Sequence, residues 1–309
     1  MTERRCGYVA LIGRPNAGKS TLLNQILSSK LAITSSKPQT TRDRILGVYT
    51  DETMQAVLLD TPGVHKVWTE LNRAMVRRSQ EALGDADVAC WIEDMTVLAR
   101  RARLGEPPLD GASEAIAGLL EAAGKPVVFV ANKMDLVQPQ WVLPVLEAVA
   151  ARVPIAAAVP LSALSGDGVE ALKGELRKLL PEAPALYPDD HWTDASERFL
   201  AAEVIREKIF ELTEQEVPYS SYVGIEAFDE SEREELGRVR INAVIVVERP
   251  QQKGIVIGKG GDMLKRIGTA ARLELQDLLD CRVHLEIFVK VEPGWTRTTK
   301  GLRKVGFEG

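Results

Sequence analysis

The chain has few cysteines, no hydrophobic run long enough to cross a membrane, and no repeated or low-complexity segment. Its three cysteines, Cys6, Cys90 and Cys281, are widely separated among 309 residues. That spacing matches no metal site and is typical of a protein in a reducing cytoplasm. No apolar run reaches the roughly 20 residues of a membrane span, and no basic segment followed by an apolar one opens the chain. We therefore expect a cytoplasmic protein without a secretory leader. Peripheral contact with a membrane stays open, although no residue pattern here encodes an anchor.

The length predicts two domains, and charge is unevenly distributed between the two ends of the chain. The net charge is −5 in total, made up of −3 over residues 1–196, −7 over residues 197–248 and +5 over residues 249–309. A basic segment on an acidic chain is compatible with binding to nucleic acid, because phosphates attract cations. A solvated basic surface would have the same composition.

Residues 1–181 are predicted to form the first domain, an α/β fold with a doubly wound, mostly parallel sheet. Strand-like apolar runs alternate here with helix-like segments, as expected when helices cover both faces of a sheet. In such folds the chemistry lies at the carboxyl ends of the strands. The predicted strands are Tyr8–Ile12, Ile45–Tyr49, Gln55–Leu59, Val88–Ile92, Val127–Ala131 and Ile155–Leu161.

A proline-rich linker over residues 182–195 is predicted to lead into a smaller α+β domain over residues 196–309. Its predicted elements follow the order helix, two strands, helix, turn, helix and strand. They are the helix Ser196–Glu216, the strands Ser221–Phe228 and Arg238–Val247, a short apolar segment Gly254–Ile257, a helix from Asp262 to about Leu279, and the strand Val283–Val291.

The segment Gly13–Ser20 has the complete pattern of a phosphate-binding loop between an apolar strand and a predicted helix. Backbone N–H groups of such a loop, with the helix N-terminus, form a cradle for phosphate oxygens. Lys19 can reach the β- and γ-phosphates, and the Ser20 hydroxyl can bind Mg²⁺. The candidate nucleotide contacts are Gly13, Asn16, Ala17, Gly18, Lys19, Ser20 and Thr21.

Further motifs follow the later strands in the order typical of a guanine-nucleotide switch. Asp60, directly after the predicted strand Gln55–Leu59, can hold Mg²⁺ through its water shell, and the Gly63 N–H can meet the γ-phosphate. Asp135, in Asn132-Lys133-Met134-Asp135, can accept two hydrogen bonds from guanine, and adenine offers no such donor pair. The Lys133 stem can cover the base, and Ser162-Ala163-Leu164 can supply N–H groups near guanine O6.

Each motif has a plain alternative when it stands alone, namely a tight turn or a helix cap. The polar loop Lys37–Asp43 would likewise be a solvent loop by itself, but it can close on the γ-phosphate and bring a threonine hydroxyl to Mg²⁺. Together, the motifs predict binding of GTP or GDP with Mg²⁺.

Over nearly its whole length the chain resembles the Era family of bacterial ribosome-assembly GTPases, of the TrmE–Era–EngA class. Beyond the nucleotide motifs, the segments Thr193–Phe199 and Glu216–Ser220 carry this resemblance. It implies that Thr41 is the magnesium ligand of switch I, beside Ser20 and Asp60, and that Gly63 is the hinge of switch II. Lys19, Thr41 and Gly63 are thus the candidate catalytic residues.

Val64 follows Gly63 where Ras-like GTPases place a glutamine that orients water. Valine cannot do this, so we expect slow intrinsic turnover. His65 is a candidate base, with a surface switch residue as the alternative. Asn16 is a candidate ligand for K⁺, because GTPases resembling this one with Asn at that position depend on potassium. Its alternative is a hydrogen bond that caps its own loop.

The turn Gly258-Lys259-Gly260-Gly261 carries the prediction of RNA binding. A Gly-x-x-Gly turn lets a sugar-phosphate backbone approach closely, and Lys259 adds positive charge. In this order of strands and helices the turn resembles that of a type II KH domain, which grips about four nucleotides of single-stranded RNA. In the resembled family that RNA is the 3′ end of small-subunit ribosomal RNA. The resemblance therefore implies a factor in 30S subunit assembly. We expect the protein to be a monomer.

Other functions stay as alternatives. They are a GTPase acting in tRNA modification, a P-loop ATPase or small-molecule kinase with an accessory domain, and a non-enzymatic RNA scaffold. Asp135 argues against the second and intact Lys19, Ser20 and Asp60 against the third. The stretch Met95–Gly111 is predicted to be a variable surface loop. Its basic run at 100–103 could touch RNA, but a solvated run is the favoured alternative.

Overall fold

The computed structural model describes residues 4–35, 37, 39–64 and 69–307 and divides into two compact units. Apart from a segment at the beginning of the second helix, the first unit ends at Asp194 and the second begins at Ala195. Along the part of the chain so described, no helix is both long and apolar enough to cross a membrane.

The first unit is built on a six-stranded sheet in the order β2-β3-β1-β4-β5-β6. β2 is antiparallel to β3, and the other neighbouring strands are parallel, which confirms the predicted fold class. Its elements are β1 (Arg5–Gly13), α1 (Lys19–Leu27), β2 (Ile45–Thr50), β3 (Met54–Asp60), α2 (Glu70–Asp85), β4 (Val88–Asp94), α3 (Met95–Arg103), α4 (Gly111–Ala123), β5 (Val127–Asn132), α5 (Val142–Arg152), β6 (Ala157–Pro160) and α6 (Val169–Leu179).

The central strands are buried on both faces, which explains why their sequences are apolar throughout rather than alternating. Every residue of β3 and β5 is buried, and in β4 only Asp94 is not. Trp91 and Phe129 meet edge to face at 5.4 Å within the core of this unit. The rigid sheet therefore holds the loops at its carboxyl edge, where the nucleotide motifs begin.

Residues 182–194, predicted as linker, lie along the first unit. Gln55 of β3 accepts backbone hydrogen bonds from Leu186 at 2.8 Å and Tyr187 at 3.0 Å. Val48 of β2 donates to the Trp192 carbonyl at 2.8 Å. The proline-rich composition marked the end of the alternating pattern, but backbone pairing with the sheet holds this segment in place.

The second unit contains a three-stranded sheet in the order β7-β8-β9, with β7 antiparallel and β9 parallel to β8. One core cluster joins the helices to one face of this sheet. The elements are α7 (Glu197–Leu212), β7 (Ser221–Asp229), α8 (Arg233–Leu236), β8 (Arg238–Val247), α9 (Pro250–Ile257), α10 (Asp262–Leu279), β9 (Arg282–Val291) and α11 (Thr299–Lys304).

The prediction of a surface loop over Met95–Gly111 was wrong for residues 95–103, whereas residues 104–110 do form a connecting loop. Residues 95–103 form α3, whose first turn is capped by the Asp94 carboxylate accepting from the Thr96 N–H at 2.9 Å. Met95, Leu98 and Ala99 are buried against the core, so packing stabilises the helix. The strand predicted at Ile155–Leu161 is shorter, and the helix predicted to Glu216 ends at Leu212.

Candidate functional site

The phosphate-binding loop connects β1 to α1, and two of its glycines are required by close contacts. A Cβ at Gly18 would lie 2.1 Å from the Asn132 amide nitrogen, and Gly18 has φ of +97°, a conformation that favours glycine. A Cβ at Gly13 would lie 2.3 Å from the Ile92 carbonyl oxygen. The loop can thus approach the neighbouring strands only because these side chains are missing.

Lys19 begins α1 and is buried beneath the loop. Its Nζ donates to the Arg14 carbonyl at 3.0 Å and lies 3.4 Å from that of Gly13. Burial lowers the pKa of Lys19, while the carboxylates of Asp60 and Glu93 oppose that shift. Burial likewise raises the pKa of Asp60, and Lys19 opposes it. Each charge therefore favours the ionised form of the other at these buried positions.

Ser20, Thr41 and Asp60 bring their oxygen atoms together as the sequence predicted for a magnesium site. Ser20 Oγ donates to Asp60 Oδ2 at 2.6 Å and lies 2.8 Å from Thr41 Oγ1, which is 3.1 Å from the same carboxylate oxygen. Asp60 is fully buried, and its Oδ1 has no hydrogen-bond partner among the described residues. One carboxylate and two hydroxyls suit Mg²⁺, which prefers oxygen ligands together with water and substrate phosphates. Within the described ranges no cluster of three acidic, histidine or cysteine side chains could hold a metal by itself.

A cavity of about 260 Å³ opens beside these residues. The phosphate loop, α1 and the described part of the polar loop before β2 form its walls, and Gly63 and Lys133 complete it. Its lining residues are Pro15, Asn16, Gly18, Lys19, Ser20, Thr21, Ile33, Thr34, Ser35, Gln39, Thr40, Thr41, Gly63 and Lys133. The structure thus brings the phosphate, magnesium and switch candidates to one place. Pro38, of the predicted switch loop, and His65 lie outside the described residues.

Asn132, at the end of β5, connects three of the predicted motifs. Its Nδ2 donates to the Ala17 carbonyl at 2.7 Å, and its Oδ1 accepts from the N–H groups of Lys133 at 2.8 Å and Ala163 at 2.9 Å. These bonds fix the base-recognition segment against the phosphate loop. Asp135 is exposed on the turn that follows, and Leu164 is 83% exposed. Both can therefore be reached by a ligand.

Gly63 approaches the phosphate loop closely, since a Cβ there would lie 2.5 Å from the Pro15 nitrogen. The next residue, Val64, donates its N–H to the Gly13 carbonyl at 3.1 Å, and its side chain is only 6% exposed within the core. The predicted inability of this position to orient water follows from both its chemistry and its burial.

Sequence reasoning missed two acidic residues that support the site. Asp94 Oδ2 accepts from Lys133 Nζ at 2.6 Å, and this ion pair positions the lysine stem expected to cover the base. Glu93, 1% exposed, accepts a hydrogen bond from the Trp91 indole at 3.0 Å. Burial raises the pKa of Glu93 to about 7. The sequence did contain a signal for both residues. Two carboxylates end β4, and β4 is the neighbour of β5, which Lys133 follows.

The Gly258–Gly261 turn connects α9 to α10 in the second unit. Gly258, Gly260 and Gly261 have φ of +74°, +63° and +85°, and a Cβ on Gly258 would lie 2.7 Å from Met263 Cβ. A Cβ on Gly260 or Gly261 would meet nothing within 4 Å, so the space above these two is open. Lys259 is exposed beside them.

Next to the turn, α10 and β9 form a groove of about 390 Å³ that the sequence analysis did not include. Its basic residues, Lys265 and Arg272, lie on one face of α10 with Gly261 and Gly268, and no acidic residue lines it. The helical spacing of these four residues was a signal that could have found them. The lining residues are Gly261, Leu264, Lys265, Gly268, Thr269, Arg272, Leu285 and Ile287.

Comparisons with known proteins match segments of both units. A family model described as 50S ribosome-binding GTPase matches residues 8–133, and a KH domain model matches residues 216–296. GTPase Era of Geotalea uraniireducens is 47% identical over 310 aligned residues, covering 100% of both chains. GTPase Era of Lactobacillus delbrueckii subsp. bulgaricus is 41% identical, with coverage of 99% of this chain and 97% of that one.

Two solved structures match at 37% identity, covering 99% of this chain and 100% of each of theirs. One is Era in complex with MgGDPNP and nucleotides 1506–1542 of 16S ribosomal RNA, with a TM-score of 0.90. The other is a variant of Aquifex aeolicus Era bound to GDP·AlF4⁻, with a TM-score of 0.89.

The fold and the two sites define a P-loop GTPase that carries a C-terminal KH domain. The full-length identity is well above what a shared fold alone requires. The chain belongs to the Era family of GTPases. This membership favours none of the alternatives, the tRNA-modification GTPase, the ATPase or kinase, and the non-enzymatic scaffold.

Proposed function

We propose that this chain hydrolyses GTP at the loop Gly13–Ser20 and binds single-stranded small-subunit ribosomal RNA near its 3′ end, thereby assisting assembly of the 30S subunit. The observation that carries the enzymatic part is the meeting of Ser20, Thr41 and Asp60 at one end of the nucleotide cavity. The related Era structure holding MgGDPNP and 16S ribosomal RNA supports the RNA part.

In this proposal the residues of the chain bind and orient the nucleotide. Lys19 and the loop N–H groups hold the phosphates, and Asp135 selects guanine while Lys133 covers the base. Mg²⁺, held by Ser20 and Thr41 with Asp60 behind its water shell, would neutralise charge that develops on the phosphates. Gly63 lets the following segment come close to the γ-phosphate. Slow intrinsic turnover is expected because Val64 is buried and cannot orient water.

A potassium ion beside Asn16 is a further part of the proposal. Asn16 lines the nucleotide cavity and adopts a left-handed conformation with φ of +63°. A monovalent cation bound there could neutralise transition-state charge without an arginine finger. Hydrolysis should then be faster in potassium than in sodium buffers, and equal rates would favour a purely structural role of Asn16 within its loop.

RNA would enter at the Gly258–Gly261 turn and continue along the groove of α10 and β9. The open space above Gly260 and Gly261 admits a sugar-phosphate backbone, and Lys259, Lys265 and Arg272 supply positive charge. The apolar side chains Leu285 and Ile287 offer contacts to unstacked bases. We infer a monomer that acts in the cytoplasm, where it meets the 30S subunit.

The test compares three variants of the full chain. Lys259→Asp with Gly260→Asp should abolish binding of a single-stranded probe from the ribosomal RNA 3′ end and leave GTP affinity unchanged, because carboxylates repel phosphates and a side chain at Gly260 blocks their approach. Lys19→Ala should do the reverse. Thr41→Ala should reduce hydrolysis more than binding.

Fluorescence titration with labelled RNA and labelled GTP, alongside a phosphate-release assay, would measure all of these effects. RNA affinity like that of the parent in the Lys259 and Gly260 variant would contradict the assignment of the RNA site. Unchanged GTP affinity in Lys19→Ala would contradict that of the nucleotide site.

A further inference from the structure

A second pocket lies in the first unit, between α3 and the segment that follows the base-recognition motif. Its volume is about 280 Å³. One side is formed by α3 and the other by residues 136–138 and Trp141, directly after Asp135. Nothing in the proposed nucleotide chemistry uses this pocket. Its residues nevertheless adjoin the site, because Asp94, which caps α3, is paired with Lys133.

Positive charge dominates this pocket. Arg100 and Arg103 are exposed, and neither has an ion pair among the residues that the structure describes. Arg101, between them, differs because it pairs with Glu106 at 2.9 Å and also donates to the Pro107 carbonyl. No acidic side chain lines the pocket. The two arginines are therefore available to an anion.

The opposite wall contains an aromatic ring and is apolar except for Gln138. Trp141 is half-buried, and its indole N–H lacks an acceptor within the described ranges. Leu136 beside it is 68% exposed, so a ligand in the pocket can reach its apolar surface. A ligand with a flat apolar body would remove these surfaces from water.

We propose that this pocket binds an unpaired nucleotide of the RNA, as a second contact outside the KH-type turn. The inference rests on the proposed function in that it takes the RNA to be already held by the second unit. A nucleotide combines the two properties that the pocket selects, a flat base for Trp141 and a phosphate for Arg100 and Arg103. An acidic peptide would meet the charge but leave the aromatic wall without a matching surface.

The experiment uses the full chain and two labelled single-stranded probes, one of about four nucleotides that fills only the KH-type turn and one covering the ribosomal RNA 3′ end. Arg100→Glu with Arg103→Glu should weaken binding of the long probe by roughly tenfold or more and reduce its salt dependence by about one to two charges. Binding of the short probe should not change. Trp141→Leu should weaken the long probe by roughly 5- to 20-fold through loss of stacking.

The matched control is Arg77→Glu with Lys125→Glu, which makes the same change in net charge on the same unit. Neither of these residues lines the pocket or has an ion pair within the described part of the chain. Thermal unfolding and GTP hydrolysis would verify that the variants fold. If the charge-reversal variant does not fold, Arg100→Gln with Arg103→Gln serves as a milder replacement.

Equal affinity of the parent, pocket and control proteins for the long probe would overturn the inference, as would equal weakening by the pocket and control variants. In the first case an acidic protein becomes the better candidate for this pocket. Failure of the proposed function would appear differently. In that case the short probe would not bind the parent, or its affinity would be unchanged by the Lys259 and Gly260 substitutions.

Discussion

At the scale of single residues, the site depends on side chains that connect segments distant in sequence. Asn132 is the clearest case, since its amide joins the phosphate loop to the segment containing Ala163. Asp135 lies three residues further along the chain. Its side chain makes no comparable hydrogen bond among the described residues, and it is exposed. The first of these residues builds the pocket, and the second is available for the ligand.

Asp135→Asn should convert guanine selectivity toward xanthine. The amide loses the charged bidentate contact, so GTP affinity should fall by about 2–4 kcal/mol, while xanthosine triphosphate should now bind because its C2 carbonyl replaces the amino donor. Competition titrations with both nucleotides measure this exchange. Asp277→Asn, an exposed change in the second unit, is the control and should leave both affinities as they are. A variant that still prefers GTP at the parent's affinity would contradict the role of Asp135.

Glu93→Gln should make stability less dependent on pH. Burial raises the pKa of Glu93 from 4.5 to about 7, so the folded protein holds a proton there that the unfolded chain releases. Its stabilising effect is complete below pH 4.5 and is lost as pH rises to about 7. The glutamine variant has no such loss, and its stability relative to the parent should increase over that interval by on the order of 3 kcal/mol. Urea unfolding at pH 5, 6, 7 and 8 would reveal a constant difference if this carboxyl does not titrate.

At the scale of secondary-structure elements, the helix α3 is connected to the nucleotide site through its capping residue. Its buried residues Met95, Leu98 and Ala99 are spaced for one helical face, and Asp94 caps its first turn. The same Asp94 side chain is paired with Lys133. The cap of a helix in a position predicted as a loop therefore also holds Lys133, the residue expected to cover the base.

Two substitutions of Asp94 separate these roles. Asp94→Asn keeps a good helix cap but removes the charge that pairs with Lys133, so nucleotide affinity should fall while stability changes little. Asp94→Ala removes both, and should in addition lower the free energy of unfolding by about 1 kcal/mol. Thermal unfolding and GTP titration of both variants provide the comparison. Equal nucleotide affinity of all three proteins would show that the ion pair does not position Lys133.

At the scale of the whole molecule, each of the two units has a hydrophobic core of its own. The first unit extends to Asp194, because residues 182–194 pair with its sheet. Gln55 is fully buried, and its side-chain oxygen accepts from Leu186 and Tyr187. Removal of this segment would leave that buried amide with fewer partners.

A fragment ending at Asp194 should consequently be more stable than one ending at Pro181. Loss of the hydrogen bonds that Leu186 and Tyr187 donate and of the one that the Trp192 carbonyl accepts should cost several kcal/mol, which corresponds to roughly 5–15 °C in Tm for a domain of this size. Circular dichroism melting of the two fragments tests this expectation. Coincident melting curves would indicate that the segment is a linker after all.

The amino-acid sequence by itself determined the fold class, the succession of strands along the chain and the identity of the nucleotide and RNA motifs. These features depend on local properties, such as apolar runs buried on two faces, glycines at left-handed positions and a helix that opens at Lys19. The full-length comparisons confirmed the family that the motifs indicated, whereas the individual site roles stay predictions.

The tertiary structure alone decided the rest. It placed Asp94 against Lys133, buried Val64 and Glu93 in the core, added Lys265 and Arg272 to the groove beside the RNA turn, and held residues 182–194 on the first sheet. Each of these depends on contacts between residues far apart in the chain. Local sequence patterns do not record such contacts, because burial and pairing arise only when separate elements pack together.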